Sequence, residues 1–145
     1  NDAPTTLTRL LNMGVAPFNI ASSVLLISAQ RLVRKLCENC KTPADYPREA
    51  MLRAGFNAED LDGTWKPYRA VGCSACSNGY KGRVGVYQVM PITEEIQRII
   101  LTEGSAVDIA TQAQREGVRD LRQSGLVKVR SGVTTLEEII AATNV

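Results

Sequence analysis

Cys37-Glu38-Asn39-Cys40 and Cys73-Ser74-Ala75-Cys76 decide how this chain folds, because between them they hold all four of its cysteines. A Cys-x-x-Cys turn directs two sulfurs at one ion from adjacent positions, and two such turns complete the tetrahedron that zinc prefers, with Zn–S about 2.3 Å. The 32 residues from 41 to 72 then form a loop closed by the metal. Thiolate ligands select zinc or iron, and an isolated four-cysteine set with no redox motif around it favours structural zinc. Two disulfides, or four buried apolar cysteines, are the competing readings. A bond within Cys-x-x-Cys belongs mostly to catalytic redox proteins, and no signal segment marks the chain for an oxidising compartment.

Histidine is absent, so no imidazole serves as base or ligand. Serine–histidine–acid triads, Cys₂His₂ fingers and the two-histidine metalloprotease helix are excluded with it. The phosphate-cradling pattern Gly-x-x-x-x-Gly-Lys-Ser/Thr does not occur either. With 145 residues, 44% of them apolar, the expectation is one core carrying a metal-bound subdomain. A net charge of +2 is a weak argument against a nucleic-acid partner. The apolar run Val24-Leu25-Leu26-Ile27 falls far short of the roughly 20 residues of a membrane helix. Reduced cysteines without a targeting segment point to the cytoplasm. The opening Asn1-Asp2-Ala3, without methionine, points to a piece of a longer protein.

Outward from the cysteines, Val24, Ile27 and Val33 favour a strand over 23–35 that runs directly into Cys37, with a helix as the competing reading. Its partner is expected at Gly82–Met90, with Val84, Val86, Gln88 and Met90 on one face and Arg83, Tyr87 and Val89 on the other. Together they predict an antiparallel hairpin whose connection carries the ion. A helix is expected over 4–13, with Pro4 in its first turn and Gly14 ending it, and Pro17 starts the next element. Pro47 to Ala54 reads as a short helix stopped by Gly55. Trp65, Leu61 and Tyr68 supply cover for the insertion, and packing rather than ligand binding is the reading preferred for Trp65. After Pro91 the pattern is helical. Thr93 is a candidate N-cap, Ser105 with Asp108 a capping box, Leu121–Val129 a further helix, and Thr134-Thr135 with Glu137-Glu138 the start of the last one.

Arg34, Lys35, Lys41, Lys81 and Arg83 all lie near the knuckles in sequence. A Zn(Cys)₄ centre carries a formal charge of −2 that they would screen; the functional alternative is that they bind phosphate on a nucleic acid or nucleotide. Gly79-Tyr80-Lys81-Gly82 looks like a phosphate loop only superficially, since glycine after a cysteine knuckle serves tight turns.

Four blocks then stand in a recognisable order. They are Asn1-Asp2-Ala3; Ala29-Gln30-Arg31-Leu32-Val33-Arg34-Lys35-Leu36-Cys37; Gly72-Cys73-x-x-Cys76-x-x-Gly79-Tyr80-x-Gly82-Arg83-x-Gly85-Val86-Tyr87; and Lys128-Val129-x-x-Gly132-x-Thr134-Thr135-x-Glu137-Glu138. The chain resembles the C-terminal part of the type II secretion and type IV pilus assembly ATPases, most of all the pilus extension motors.

The resemblance implies an α+β, mostly helical fold: the end of a RecA-like ATPase core (1–36), a tetracysteine zinc subdomain with its return strand (37–90) and a C-terminal helical bundle (91–145). It implies zinc on Cys37, Cys40, Cys73 and Cys76. ATP and magnesium would belong to the full-length parent alone, with Asp2 at the end of a histidine box. Gln30 and Arg31 would lie near the nucleotide or a subunit boundary, or else form a hydrogen-bonded strand end. For Thr134, Thr135, Glu137 and Glu138 nothing beyond helix capping is expected. Gln123-Ser124 stand where many relatives carry acidic residues, which weakens any ionic role for that turn. The implied partners are the other subunits of a homohexamer and an inner-membrane platform protein, at the inner face of that membrane, with no nucleic acid. A zinc ribbon that binds nucleic acid is the alternative function, and a Cys-x-x-Cys redox protein a third.

Overall fold

The computed structural model describes residues 2–143, so Asn1 of the first sequence block lies outside the described residues. Among the described residues the elements run α1 (Ala3–Asn12), α2 (Pro17–Ser23), β1 (Leu26–Leu36), β2 (Thr42–Pro43), α3 (Arg48–Ala54), β3 (Tyr68–Arg69), β4 (Tyr80–Pro91), α4 (Glu94–Leu101), α5 (Ala106–Arg115), α6 (Leu121–Arg130) and α7 (Leu136–Thr143). The architecture is α+β. β1 pairs with β4 in a two-stranded sheet. The Ile92 N–H donates to the Leu25 carbonyl at one end and the Cys37 N–H to the Gly79 carbonyl at the other, each at 2.9 Å. Rising numbers on one strand meet falling numbers on the other, so the ribbon is antiparallel.

The strand reading of 23–35 wins over the helix, since β1 pairs with β4; Ile27, Ala29 and Val33 are buried on one face, and the alternation breaks at exposed Arg31 and buried Leu36. On β4 the expected faces are found: Val86, Gln88 and Met90 are buried while Arg83, Tyr87 and Val89 are exposed. Packing divides the chain into two compact units, Asn1–Gln30 with Tyr87–Leu121, and Arg31–Val86 with Arg122–Val145. Each long strand contributes to both.

In the first unit, α1, α2, α4 and α5 gather around Leu7, Ile20, Ile96, Ile100 and Ile109, with Ile27, Met90 and Ile92 from the ribbon. A helix start leaves backbone N–H groups without intrahelical partners, and α1 satisfies its own with one distant and one local side chain. The Ala3 N–H donates to the buried Gln88 Oε1 at 2.9 Å, Pro4 has no donor to satisfy, and the Thr5 N–H donates to the Asp2 carboxylate at 2.9 Å. Thr93 and the Ser105–Asp108 capping box start α4 and α5 as the sequence predicts.

In the second unit, Val33, Leu36, Met51, Phe56, Val86, Leu126, Val129 and Ile139 are buried. The insertion has its own small sheet, with Thr42 opposite Arg69 and Pro43 opposite Tyr68. Two-residue strands carry no readable period, which is why the sequence does not announce them. Trp65 lies 5.1 Å from the Phe56 ring centroid, and its indole N–H donates to the Asp60 carbonyl. Its role is packing.

Helices after Pro91 do not share one core, in contrast to the expected bundle. The apolar stripes of α4 and α5 meet α1 and α2, whereas α6 and α7 pack in the unit that holds the cysteines. Among the described residues no helix is long and apolar enough to cross a membrane.

Candidate metal centre

All four cysteine sulfurs lie within 4.8 Å of one another, with Cys37–Cys73 at 3.9 Å, Cys40–Cys76 at 3.7 Å and Cys73–Cys76 at 3.6 Å. A tetrahedron with metal–sulfur bonds of about 2.3 Å has edges of about 3.8 Å, whereas a disulfide is about 2.0 Å. The separations are tetrahedral edges. Every cysteine is free, and only Cys37 is buried, which disposes of both the disulfide pairing and the all-apolar reading. Four sulfurs at these distances fit one zinc-sized ion.

Strand ends and turns create this arrangement. Cys37 follows the last residue of β1 and is tied by its N–H to Gly79, while the Lys41 N–H donates to the Cys37 carbonyl at 3.0 Å to close the first knuckle. After the second knuckle, Ser77 and Tyr80 exchange backbone hydrogen bonds of 2.9 and 3.0 Å around Asn78 (φ 54°) and Gly79 (φ 95°). Two consecutive positive φ angles define the tight hairpin turn for which Asn-Gly is the preferred pair. Asn78-Gly79 is thus the local signal that turns the chain from the metal into β4. Gly79 is expected in a tight turn from its place after the knuckle, and Asn78, just as readable in the sequence, completes the pair.

Hydrogen bonds reach the sulfurs as well. The Asn39 side-chain amide donates to Cys73 Sγ at 3.5 Å, and the Cys73 N–H donates to Cys76 Sγ at 3.3 Å. The Asn39 amide and then the Ala75 N–H pull the Cys73 thiol down to about 6. On Cys40 the Gly72 N–H works in the same direction, but burial and the three neighbouring thiols outweigh it and push that thiol up to about 11.

Two of the five cations near the knuckles are committed to the protein itself. Lys41 Nζ donates to the Gly132 carbonyl at 3.0 Å, pairs with Glu38 and sits 4.6 Å from the Tyr68 ring centroid. The Arg34 guanidinium stacks 4.1 Å from the Tyr80 ring centroid and binds the Glu138 carboxylate. Phosphate binding therefore loses two of its candidate donors; Lys35, Lys81 and Arg83 are exposed.

Residues 132–138 do more than cap α7. The Leu36 N–H donates to the Val133 carbonyl at 2.8 Å, Thr134 Oγ1 donates to the Arg34 carbonyl at 2.7 Å, and Tyr80 shares a hydroxyl bond of 3.0 Å with Thr135. Glu138 accepts from both the backbone N–H and the Nε of Arg34, each at 3.0 Å, while Glu137 accepts from the Tyr46 hydroxyl. Arg34 precedes the first knuckle and Tyr80 follows the second, so the start of α7 grips both flanks of the metal-bearing ribbon.

Hydrogen bonding from Arg34 holds the Glu138 carboxyl below its ordinary value. A carboxylate with a lowered folded value stabilises fully above its unfolded range, about 4.3, and loses that contribution as pH falls through the folded value. Thermal unfolding of Glu138→Gln and the parent chain should therefore differ at neutral pH, with the parent more stable, and the difference should shrink as pH falls from about 4.3 through the lower folded value. A difference independent of pH would refute the ionic contact.

The remaining predicted site residues stand elsewhere. Asp2 is the N-cap of α1, and Gln30 and Arg31 are exposed at successive positions of β1.

Comparison with known proteins adds to this geometry. A family model described as type II/IV secretion system protein matches residues 1–141. The chain belongs to that family. It is 58% identical over 139 residues to the type IV pilus assembly ATPase PilB of Pseudomonas aeruginosa, covering 96% of this chain and 24% of that protein. It is 44% identical to the PilB of Myxococcus xanthus, over 99% of this chain and 25% of the relative. The type II secretion system ATPase E of Vibrio cholerae is 38% identical, over 99% of this chain and 28% of its own length. The chain thus spans about a quarter of the length of these relatives.

Proposed function

We propose that this chain is the C-terminal part of a hexameric motor ATPase that powers pilin polymerisation, and that it serves in subunit contact and force transmission rather than in hydrolysis. What carries the reading is the 58% identity to a pilus assembly ATPase across 96% of the chain, against 38% to the secretion ATPase. ATP and magnesium would be held by the parent outside this chain, which has no Gly-x-x-x-x-Gly-Lys-Ser/Thr loop. Gln30 and Arg31, exposed on β1, would face the nucleotide or a neighbouring subunit, and Asp2, the N-cap of α1, would stand at the end of the parent's histidine box. The parent would work in the cytoplasm against an inner-membrane platform protein.

Cys37, Cys40, Cys73 and Cys76 would hold one zinc ion, which when bound supplies a fourfold cross-link closing the 41–72 loop. Around it, Arg34, Lys41, Tyr80, Thr134 and Glu138 fasten the ribbon to α7. Rigid elements transmit subunit rotation without absorbing it.

Exchange of this chain for the matching segment of the P. aeruginosa PilB should restore surface pili in cells lacking that protein. The same exchange into the V. cholerae ATPase E should fail to restore secretion. Secretion without pili would overturn the pilus reading. The purified chain alone should show no ATP turnover in a coupled assay, and steady hydrolysis by it would contradict the division of labour.

A further inference from the structure

We propose that Asn39 is a positioning residue of the metal centre, its side-chain amide bridging the two knuckles by donating to the sulfur of Cys73. The inference rests on the reading of the four cysteines as a zinc site. Asn39 sits inside the first knuckle, yet its Nδ2 lies 3.5 Å from a sulfur of the second, 34 residues further along the chain. The Cys73 N–H, by contrast, donates to Cys76 of its own knuckle. Its neighbour Glu38 turns to Lys41 instead, so the two middle residues of Cys37-Glu38-Asn39-Cys40 have separate jobs.

The chemistry at position 39 is asymmetric. A thiolate only accepts hydrogen bonds, so the NH₂ end of the amide faces it and the carbonyl end cannot. Four thiolates around a divalent ion leave two negative charges in excess, and a donor aimed at one sulfur spreads part of that charge. It also lowers the nucleophilicity of that sulfur toward alkylating agents. Cys73, the sulfur that Asn39 reaches, lies 3.9 Å from Cys37, close to a tetrahedral edge. Alanine removes the donor. Aspartate keeps the shape but sets a carboxylate against the thiolate.

The test uses the full chain with Zn²⁺ as the probe, comparing Asn39→Ala, Asn39→Asp and the neighbouring control Glu38→Ala. Partners that orient metal ligands typically change affinity 10- to 100-fold when removed, so chelator competition should show zinc binding weakened about 10-fold in Asn39→Ala, more in Asn39→Asp, and little in Glu38→Ala. Iodoacetamide labelling of the zinc-loaded proteins, resolved by mass spectrometry, should make Cys73 the first sulfur modified in Asn39→Ala and not in the parent. Parental affinity and labelling order in Asn39→Ala overturn the inference. So does weakened binding with all four cysteines labelled faster in equal measure, which would be general loosening. A parent chain that takes up no zinc overturns the metal reading itself, a different result from a zinc-loaded parent indifferent to Asn39.

Discussion

Cys73→Ser is expected to abolish stoichiometric zinc binding and to release the insertion, residues 41–72, to solvent exchange. Cys73 lies 3.9 Å from Cys37 across the knuckles and 3.6 Å from Cys76 within its own, so its loss leaves three sulfurs, with Cys40–Cys76 at 3.7 Å still joining the two knuckles. Structural zinc contributes binding energy on the order of 10 kcal/mol to folding in small zinc modules. What else holds the insertion is limited: two two-residue strands, one short helix, the Phe56–Trp65 contact, and the bonds of Lys41 to Gly132, Tyr46 to Glu137 and Arg122 to the Ala54 carbonyl. Amide hydrogen exchange should rise throughout 41–72 while the first unit keeps its protection, because Leu7, Ile96, Ile100 and Ile109 form a core that contains no cysteine. Helices α6 and α7 should respond in between. They pack beside the insertion, and the turn between them and the start of α7 are bonded to Arg34, Leu36, Lys41 and Tyr80. An insertion that stays protected in the metal-free variant would remove the ion from the folding argument.

Gly79→Ala should be far more damaging than Gly63→Ala, although both add one methyl group at a positive φ. A Cβ there would stand 2.5 Å from the Ala70 Cβ and 2.7 Å from the Val71 backbone nitrogen, at φ +95°. Backbone cannot give way as a side-chain tip can. The left-handed conformation costs alanine about 1–2 kcal/mol, and forcing a methyl into filled space adds about 1–3 kcal/mol, for roughly 2–5 kcal/mol together. Gly63→Ala provides the contrast: φ is +83° but nothing lies within 4 Å, so only the conformational part, about 1–2 kcal/mol, remains. Urea unfolding of the two zinc-loaded variants separates the effects. Equal losses would mean that the close approach of Gly79 to Ala70 and Val71 has no energetic weight.

Several parts of the fold were legible because each depends on residues adjacent in sequence. Thr93 and Ser105 with Asp108 cap helices through bonds spanning three residues, as Asp2 also does, though only the structure disclosed that cap. Gly55 ends α3 where a positive φ is needed. Alternation along 82–90 picked out the buried face of β4, including Gln88, but not the reason for a buried amide there, which is the first N–H of a helix 85 residues away. The work of Thr134, Thr135, Glu137 and Glu138 was hidden in the same way. Their capping role is local, whereas their partners Arg34, Tyr80 and Tyr46 come from positions 55 to 104 residues distant. The cations near the knuckles looked interchangeable in sequence, and only the neighbours of Arg34 and Lys41 distinguish them from Lys35, Lys81 and Arg83.

The spacing of two cysteine pairs, the period of two on the flanking strands and the caps on the helices were written into the chain itself, since each rests on geometry that a few consecutive residues impose. Which helices share a core was not, because α4, α5, α6 and α7 all present apolar stripes and a stripe does not name the surface it will cover. Tertiary packing made that choice. It also brought Asn39 to Cys73 and Glu138 to Arg34, contacts between residues whose distance along the chain leaves no pattern for a sequence to display.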